Sequence, residues 1–281
     1  MLKQRLQSGV LIGLAVLVAG LWFPLPLVAF VAVIVGCLGL IEFFKLLENA
    51  ELAHHRVTGI AGGVTLLTAV WLAHTFGDFD QAMSIQIVAL VGVFLAIFIR
   101  QFNAPNSINP INTMSNTLFG VVYVAFLFSF VIQLLLAWGD PSGRWLAFYL
   151  IAVVKSGDTG AYFTGSRLGR NKLIPQVSPN KTWEGCAGAL ALSCLVSLIF
   201  FFASGGSFGE MSFRFIDALV LGLGLPILGI LSDLTESAVK RAVGAKDSSH
   251  MVQGMGGILD IIDSLLFCAP ALFVYAWLFM S

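Results

Sequence analysis

Nine stretches of this chain are long and apolar enough, or nearly so, to cross the roughly 30 Å hydrocarbon core of a bilayer. They fall at about residues 6–23, 25–46, 58–76, 84–101, 117–138, 145–165, 184–204, 213–232 and 256–280. Backbone polar groups in lipid must pair within the protein, which leaves helices or closed barrels. The stretches run on without the alternation of a barrel strand, so the pattern predicts helices. Charged residues make up 11% of the 281 positions and hydrophobic ones 58%. A soluble domain carries about 25% charge, and so few charges could not cover its surface. The expected fold is an all-α polytopic integral membrane protein of about nine transmembrane helices. About five of them lie in residues 1–140 and the rest in 141–281, as one continuous membrane domain.

Lysine and arginine set the orientation, because they collect in cytoplasmic loops. A cytoplasmic N-terminus places Lys3, Arg5, Lys45, Arg56, Arg100, Arg167, Arg170, Lys172, Lys181, Lys240, Arg241 and Lys246 on the inner side. Only Arg144 and Arg214 are then outside, and Lys155 lies within a span. The polar segments 166–183 and 233–255 accordingly face the cytoplasm of a multi-pass inner-membrane protein, where nucleotides are available. Lys3 and Arg5 precede an apolar run that continues past Phe23-Pro24-Leu25-Pro26 into another, which reads as a membrane hairpin and not a cleaved signal. The net charge is zero, so no bulk attraction to nucleic acid is implied. Cys37, Cys186, Cys194 and Cys268 have apolar neighbours and no CxxC spacing, and read as small buried hydrophobes. His54 and His55 read as a solvated loop pair in preference to a metal site.

Against this apolar background, charge concentrates in the second half of the chain. Ionisable groups next to hydrocarbon are costly, so such a cluster is a site hypothesis by default. Lys155, Asp158 and Tyr162 share one helix face within VVKSGDTGAYFTG, as either a buried ion pair between helices or the wall of a polar cavity. The segment SRLGRNKLIPQVSPNKTWEGCAG joins Arg167, Arg170, Lys172 and Lys181 to the hydroxyls of Ser178 and Thr182, just ahead of an apolar helix. A helix N-terminus with lysine and hydroxyl donors suits phosphate. From Ser232 to Ser264 the charge is densest. Asp233, Glu236 and Lys240 fall on one helix face, Lys240-Arg241 and Lys246-Asp247 follow, and Gly256-Gly257 opens a last helix carrying Asp260 and Asp263 one turn apart. Carboxylates from two helices can hold a hard cation through oxygen, and a glycine pair lets backbone approach phosphate closely. The alternative is a set of buried ion pairs, such as Asp233 with Lys240.

These residues resemble a family. Ser237, Lys240, Arg241, Lys246, Asp247, Gly256, Gly257, Asp260 and Asp263 are similar to the signature of the CDP-diacylglycerol synthases, or phosphatidate cytidylyltransferases. The blocks GDTGAYFTG and VSPNKTWEG resemble the same family in the same order, so the likeness covers roughly residues 150–270. The family pattern has histidine before the glycine pair and arginine after the first aspartate of the last helix; here these are Met255 and Ile261, with His250 nearby. Neither missing group can be indispensable to the chemistry of this chain. The resemblance implies transfer of CMP from CTP to phosphatidic acid, with release of pyrophosphate and dependence on Mg²⁺. Carried over by position, Asp233 and Asp260 bind the metal, with Asp263 close by or at a second cation. Lys181, Lys240, Arg241 and Lys246 hold phosphates, Ser178, Thr182 and Asp158 line the substrate site, and Asp247 organises the loop. Lys240, Asp247 and Asp260 are the expected catalytic set. Membrane lipids and a homodimeric partner complete the expected associations. Two alternatives stand beside this reading: a cytidylyltransferase or kinase acting on another lipid or isoprenoid alcohol, and a cation-coupled transporter. A transporter site would lie nearer the bilayer midplane than these loops.

Overall fold

Long apolar runs bounded by prolines, glycines and short polar links become helices, with little else. The computed structural model describes residue 13 and residues 18–103, 109–245, 248–249 and 256–280. Its helices are α1 (Leu25–Asn49), α2 (Arg56–Phe76), α3 (Phe79–Phe102), α4 (Pro110–Leu136), α5 (Ser142–Leu168), α6 (Trp183–Ser204), α7 (Phe215–Ala242) and α8 (Ile258–Phe279). A π segment, Val121–Phe126, interrupts α4. Two small antiparallel hairpins complete the description: β1 (Lys172–Ile174) with β2 (Ser178–Thr182), and β3 (Ser207–Phe208) with β4 (Met211–Ser212).

Seven of these helices are long and apolar enough to cross a membrane, so the chain has the all-α, multi-pass make-up that its composition demands. Two of the nine expected spans differ. The first, at 6–23, lies mostly outside the described residues. The one at 145–165 is present as α5, whose 27 residues are ample in length. It is not among the seven, because Lys155, Ser156, Asp158 and Thr159 give it a polar face.

The helix ends follow local chemistry. Pro24 precedes α1, where a missing N–H costs nothing. Asp78 caps α3 by accepting the Gln81 amide at 2.8 Å. Thr182, the last residue of β2, caps α6 by accepting the Gly185 amide at 3.1 Å. Gly205 ends α6 at φ +66°, a left-handed conformation that favours glycine.

The chain divides into two compact units. The first comprises Met1–Ala137 with Ala242–Ile262, and the second Trp138–Arg241 with Asp263–Ser281. Within the first, α1, α2 and α4 enclose Leu40, Phe43, Phe44, Leu66, Leu67 and Val124, all essentially inaccessible. His55 bonds Gln101 at 3.0 Å and its backbone amide bonds Thr117 at 2.8 Å, so this histidine pins a loop. Within the second, Tyr149 donates to or accepts from Ser197 at 2.7 Å, and Ser197 donates to the Ala218 carbonyl at 2.6 Å, tying α5, α6 and α7. Asp217, fully buried, accepts from Arg214 at 2.9 Å and from Tyr275 at 2.8 Å. Of the four cysteines, all free thiols, Cys268 is buried as expected, whereas Cys37, Cys186 and Cys194 are only partly so.

The tightest approach in the second unit is between α5 and α6. A Cβ on Gly160 would lie 2.4 Å from the Gly188 carbonyl oxygen, and one on Gly188 would lie 2.1 Å from Thr164 Oγ1. Small residues let membrane helices pack by backbone contact where no hydrophobic drive separates protein from lipid. Gly188→Val is therefore expected to cost about 1–3 kcal/mol by overpacking. Thermal unfolding in detergent should show a melting temperature lower by several degrees, and an unchanged value would refute the close approach.

Candidate active site

Three segments of the second unit bring charge together: the polar face of α5, the β1–β2 hairpin, and the facing turns of α7 and α8. Lys181 lies on β2, just before the cap of α6, and reaches Asp233 of α7 at 2.7 Å and the Ile230 carbonyl at 3.3 Å. The bond from the Ser232 hydroxyl to the Asp263 carbonyl brings α7 and α8 together here, and the carboxylates of Asp233 and Asp263 act on each other electrostatically. Neighbouring carboxylates oppose each other's ionisation, which a proton or a nearby cation offsets. Asp263 is 6% exposed, and its backbone carbonyl accepts from the buried Ser232 hydroxyl.

Lys155 approaches the same cluster from α5. Its ammonium donates to Ser264 at 2.8 Å and to Asp158 at 3.1 Å, and its charge acts on Asp263 and Asp233 as well. The shared face of Lys155 and Asp158 is thus the wall of a polar cluster and an ion pair at once. Glu236, buried one turn beyond Asp233, pairs with Lys240 at 2.7 Å. The Asp233–Lys240 pair, one example of the buried-pair alternative, does not form; the pairs are Asp233–Lys181 and Glu236–Lys240. The i,i+4 spacing of Glu236 and Lys240 brings them together more directly than a spacing of seven.

Asp260 belongs to the first unit, whereas Asp233 and Asp263 belong to the second. Its carboxylate accepts the Gly257 amide at 2.7 Å and the Ser248 amide at 3.2 Å. The Gly257 bond is the return half of a capping box, an acidic side chain in the first turn satisfying the amide before the helix. The glycine pair has a definite local reason. Gly256 has φ +92°, and a Cβ there would lie 2.2 Å from Asp260 Oδ2; one on Gly257 would lie 2.4 Å from Glu42 Oε2. Carboxylates approach the backbone closely at both glycines.

The other expected residues fall as follows. Thr182 is buried and its hydroxyl caps α6. Ser178 begins β2, opposite Ile174. Arg241 is exposed in the last turn of α7. Lys246, Asp247, His250 and Met255 lie outside the described residues. Among the described residues, no three histidine, cysteine or carboxylate side chains are grouped to hold a metal by themselves. A carboxylate pair is nevertheless what Mg²⁺ uses when substrate phosphates supply the remaining ligands. The hard oxygen donors of Asp233 and Asp263 fit such an ion. Glu42 escaped the sequence reading altogether: it lies in α1, outside every motif, and only the folded chain shows its carboxylate on the Leu259 amide at 2.8 Å.

A model of the cytidylyltransferase family matches residues 3–279, nearly the whole chain. This chain belongs to the cytidylyltransferase family. A phosphatidate cytidylyltransferase of Haemophilus influenzae is 31% identical over 294 aligned positions, spanning 100% of both chains. That of Bacillus subtilis is 29% identical over 283 positions, covering 99% of this chain and 98% of the relative. A third, from Mycobacterium tuberculosis, is 29% identical over 287 positions, covering 100% of this chain and 82% of its own. Membership of the cytidylyltransferases therefore extends to the N-terminal helices, where no motif was visible.

Proposed function

We propose that this protein transfers CMP from CTP to phosphatidic acid, giving CDP-diacylglycerol and pyrophosphate. The observation that carries the reading is Asp233 beside Lys181 at 2.7 Å, with α8 and its Asp263 bonded to the neighbouring Ser232, in a chain of the cytidylyltransferase family. A lipid phosphate oxygen attacks the α-phosphorus of CTP, the bond from that phosphorus to the bridging oxygen of the β-phosphate breaks, and pyrophosphate leaves with the electron pair. The second pKa of a phosphate monoester is near 6, so the nucleophile is already mostly anionic at neutral pH. No general base is required.

The obstacle is electrostatic, since an anion must approach an anion. Lys181 neutralises part of that charge from β2, with Lys240, Arg241 and Lys246 as further phosphate partners. Asp233 and Asp263 would hold Mg²⁺, which supplies charge neutralisation for both phosphates when bound. Asp260 fixes the start of α8, one turn ahead of Asp263. Asp247 organises its loop, Ser178, Thr182 and Asp158 line the substrate side, and a second cation is a further element of the proposal. The reacting groups face the cytoplasm of the inner membrane, with the N-terminus on the same side, as the distribution of lysine and arginine supports. The acyl chains stay in the bilayer. A homodimer is the proposed assembly.

The test is pyrophosphate release by purified protein given CTP, Mg²⁺ and phosphatidic acid, each omitted in turn. Release that requires all three is expected. Equal release without phosphatidic acid, or with an isoprenoid alcohol in its place, would overturn the substrate assignment.

A further inference from the structure

Glu42 lies within α1, in the half of the chain without motifs, and is 2% exposed. A carboxylate at that depth requires a full set of donors or a partner charge. Among the described residues, its donors come from one short region of the chain. Ser249 Oγ donates at 2.7 Å, the Leu259 amide at 2.8 Å and Ser248 Oγ at 3.3 Å. Leu259 is in the first turn of α8, so the negative charge of Glu42 meets the positive end of that helix and satisfies one of its orphan amides. Asp260 takes two other amides of the same region, those of Gly257 and Ser248. Ser248 is therefore held from two directions, its hydroxyl by Glu42 and its amide by Asp260. The missing side chain at Gly257 leaves the room for this arrangement, since a Cβ there would lie 2.0 Å from Ser248 Oγ.

We propose that Glu42 is a positioning residue of the transfer reaction. It fixes segment 248–249 to the start of α8, and so sets the carboxylate of Asp260 and the rise of the helix that carries Asp263. This rests on the nucleotidyl-transfer reading above.

Glu42→Gln tests this in the full chain, purified in detergent. The amide retains one acceptor but turns an N–H₂ toward donors, so it cannot take all three bonds. The expected result is a monodisperse protein whose kcat for pyrophosphate release falls at least about tenfold, with half-saturating Mg²⁺ raised several-fold and KM for CTP within about threefold. A purely structural role would lower the folded fraction and leave the Mg²⁺ dependence of the remainder unchanged. Glu48→Gln, which removes a surface charge from the same helix, should match the parent. If Glu42→Gln does not fold, the double variant Ser248→Ala with Ser249→Ala removes the same contacts from the other side and should shift Mg²⁺ half-saturation in the same direction. Unchanged Mg²⁺ dependence in whichever variant folds overturns the proposal. Inactivity of the parent toward CTP and phosphatidic acid would instead overturn the reading on which it rests.

Discussion

Asp263→Asn is expected to lower CMP transfer at least about a thousandfold, equivalent to about 4 kcal/mol of lost transition-state stabilisation. The same substitution should leave the metal-free protein about as stable as the parent. Both outcomes come from one pair of side chains. Asp263 is buried and acts electrostatically on Asp233, whose side chain is 35% exposed and paired with Lys181. Like charges oppose folding unless a proton or a cation offsets them, so neutralising one costs the metal-free state little. The substitution removes a ligand for the ion that the reaction needs. Thermal unfolding with and without Mg²⁺, alongside pyrophosphate release, measures the two effects together. Stabilisation by Mg²⁺ should be present in the parent and absent in the variant. A variant that retains parental activity, or is stabilised by Mg²⁺ as strongly as the parent, would remove the carboxylate pair from the mechanism.

Lys155→Met should act in the opposite sense on metal affinity. The ammonium of Lys155 touches Ser264 and Asp158 and places its charge on Asp233 and Asp263. Without it the carboxylates are less neutralised, so a divalent cation is attracted more strongly and half-saturating Mg²⁺ should fall. The reacting phosphates lose a fixed positive charge, so kcat should fall about 10- to 100-fold. Lys155→Arg retains the charge and should recover part of that loss. Mg²⁺ titrations of initial rate separate the two effects. A variant with lower kcat and a higher Mg²⁺ requirement would show that Lys155 supports the fold of the site and not its electrostatics.

The sequence made the second half of the site legible because charge there stands against apolar surroundings. Asp233, Asp263, Lys181 and Lys155 could be picked out singly, since an ionisable group beside hydrocarbon needs a reason to be there. Their partners could not. Lys240 has two carboxylates within two helical turns, and only the folded helix shows it beside Glu236, leaving Asp233 to Lys181. The β1–β2 hairpin was hidden because its strands are three and five residues long and rich in polar side chains, with Pro175 between them. The neighbours of the glycine pair were hidden for a related reason. The small size of the glycines was evident, but the groups that fill the space, Asp260, Ser248 and Glu42, come partly from more than 200 residues away. Glu42 itself has no local signal: an acid among the apolar residues of α1 has no periodicity or motif to mark it.

The central claim is that Asp233 and Asp263 together grip the ion that lets two phosphates meet. Mn²⁺, a hard divalent cation with an electron paramagnetic resonance signal that diminishes on binding, tests it without reliance on turnover. Titration of purified parent and of Asp233→Asn, in the presence of CTP, should show saturable binding in the parent and at least about a tenfold weaker association in the variant. Equal affinity in both proteins would contradict the account.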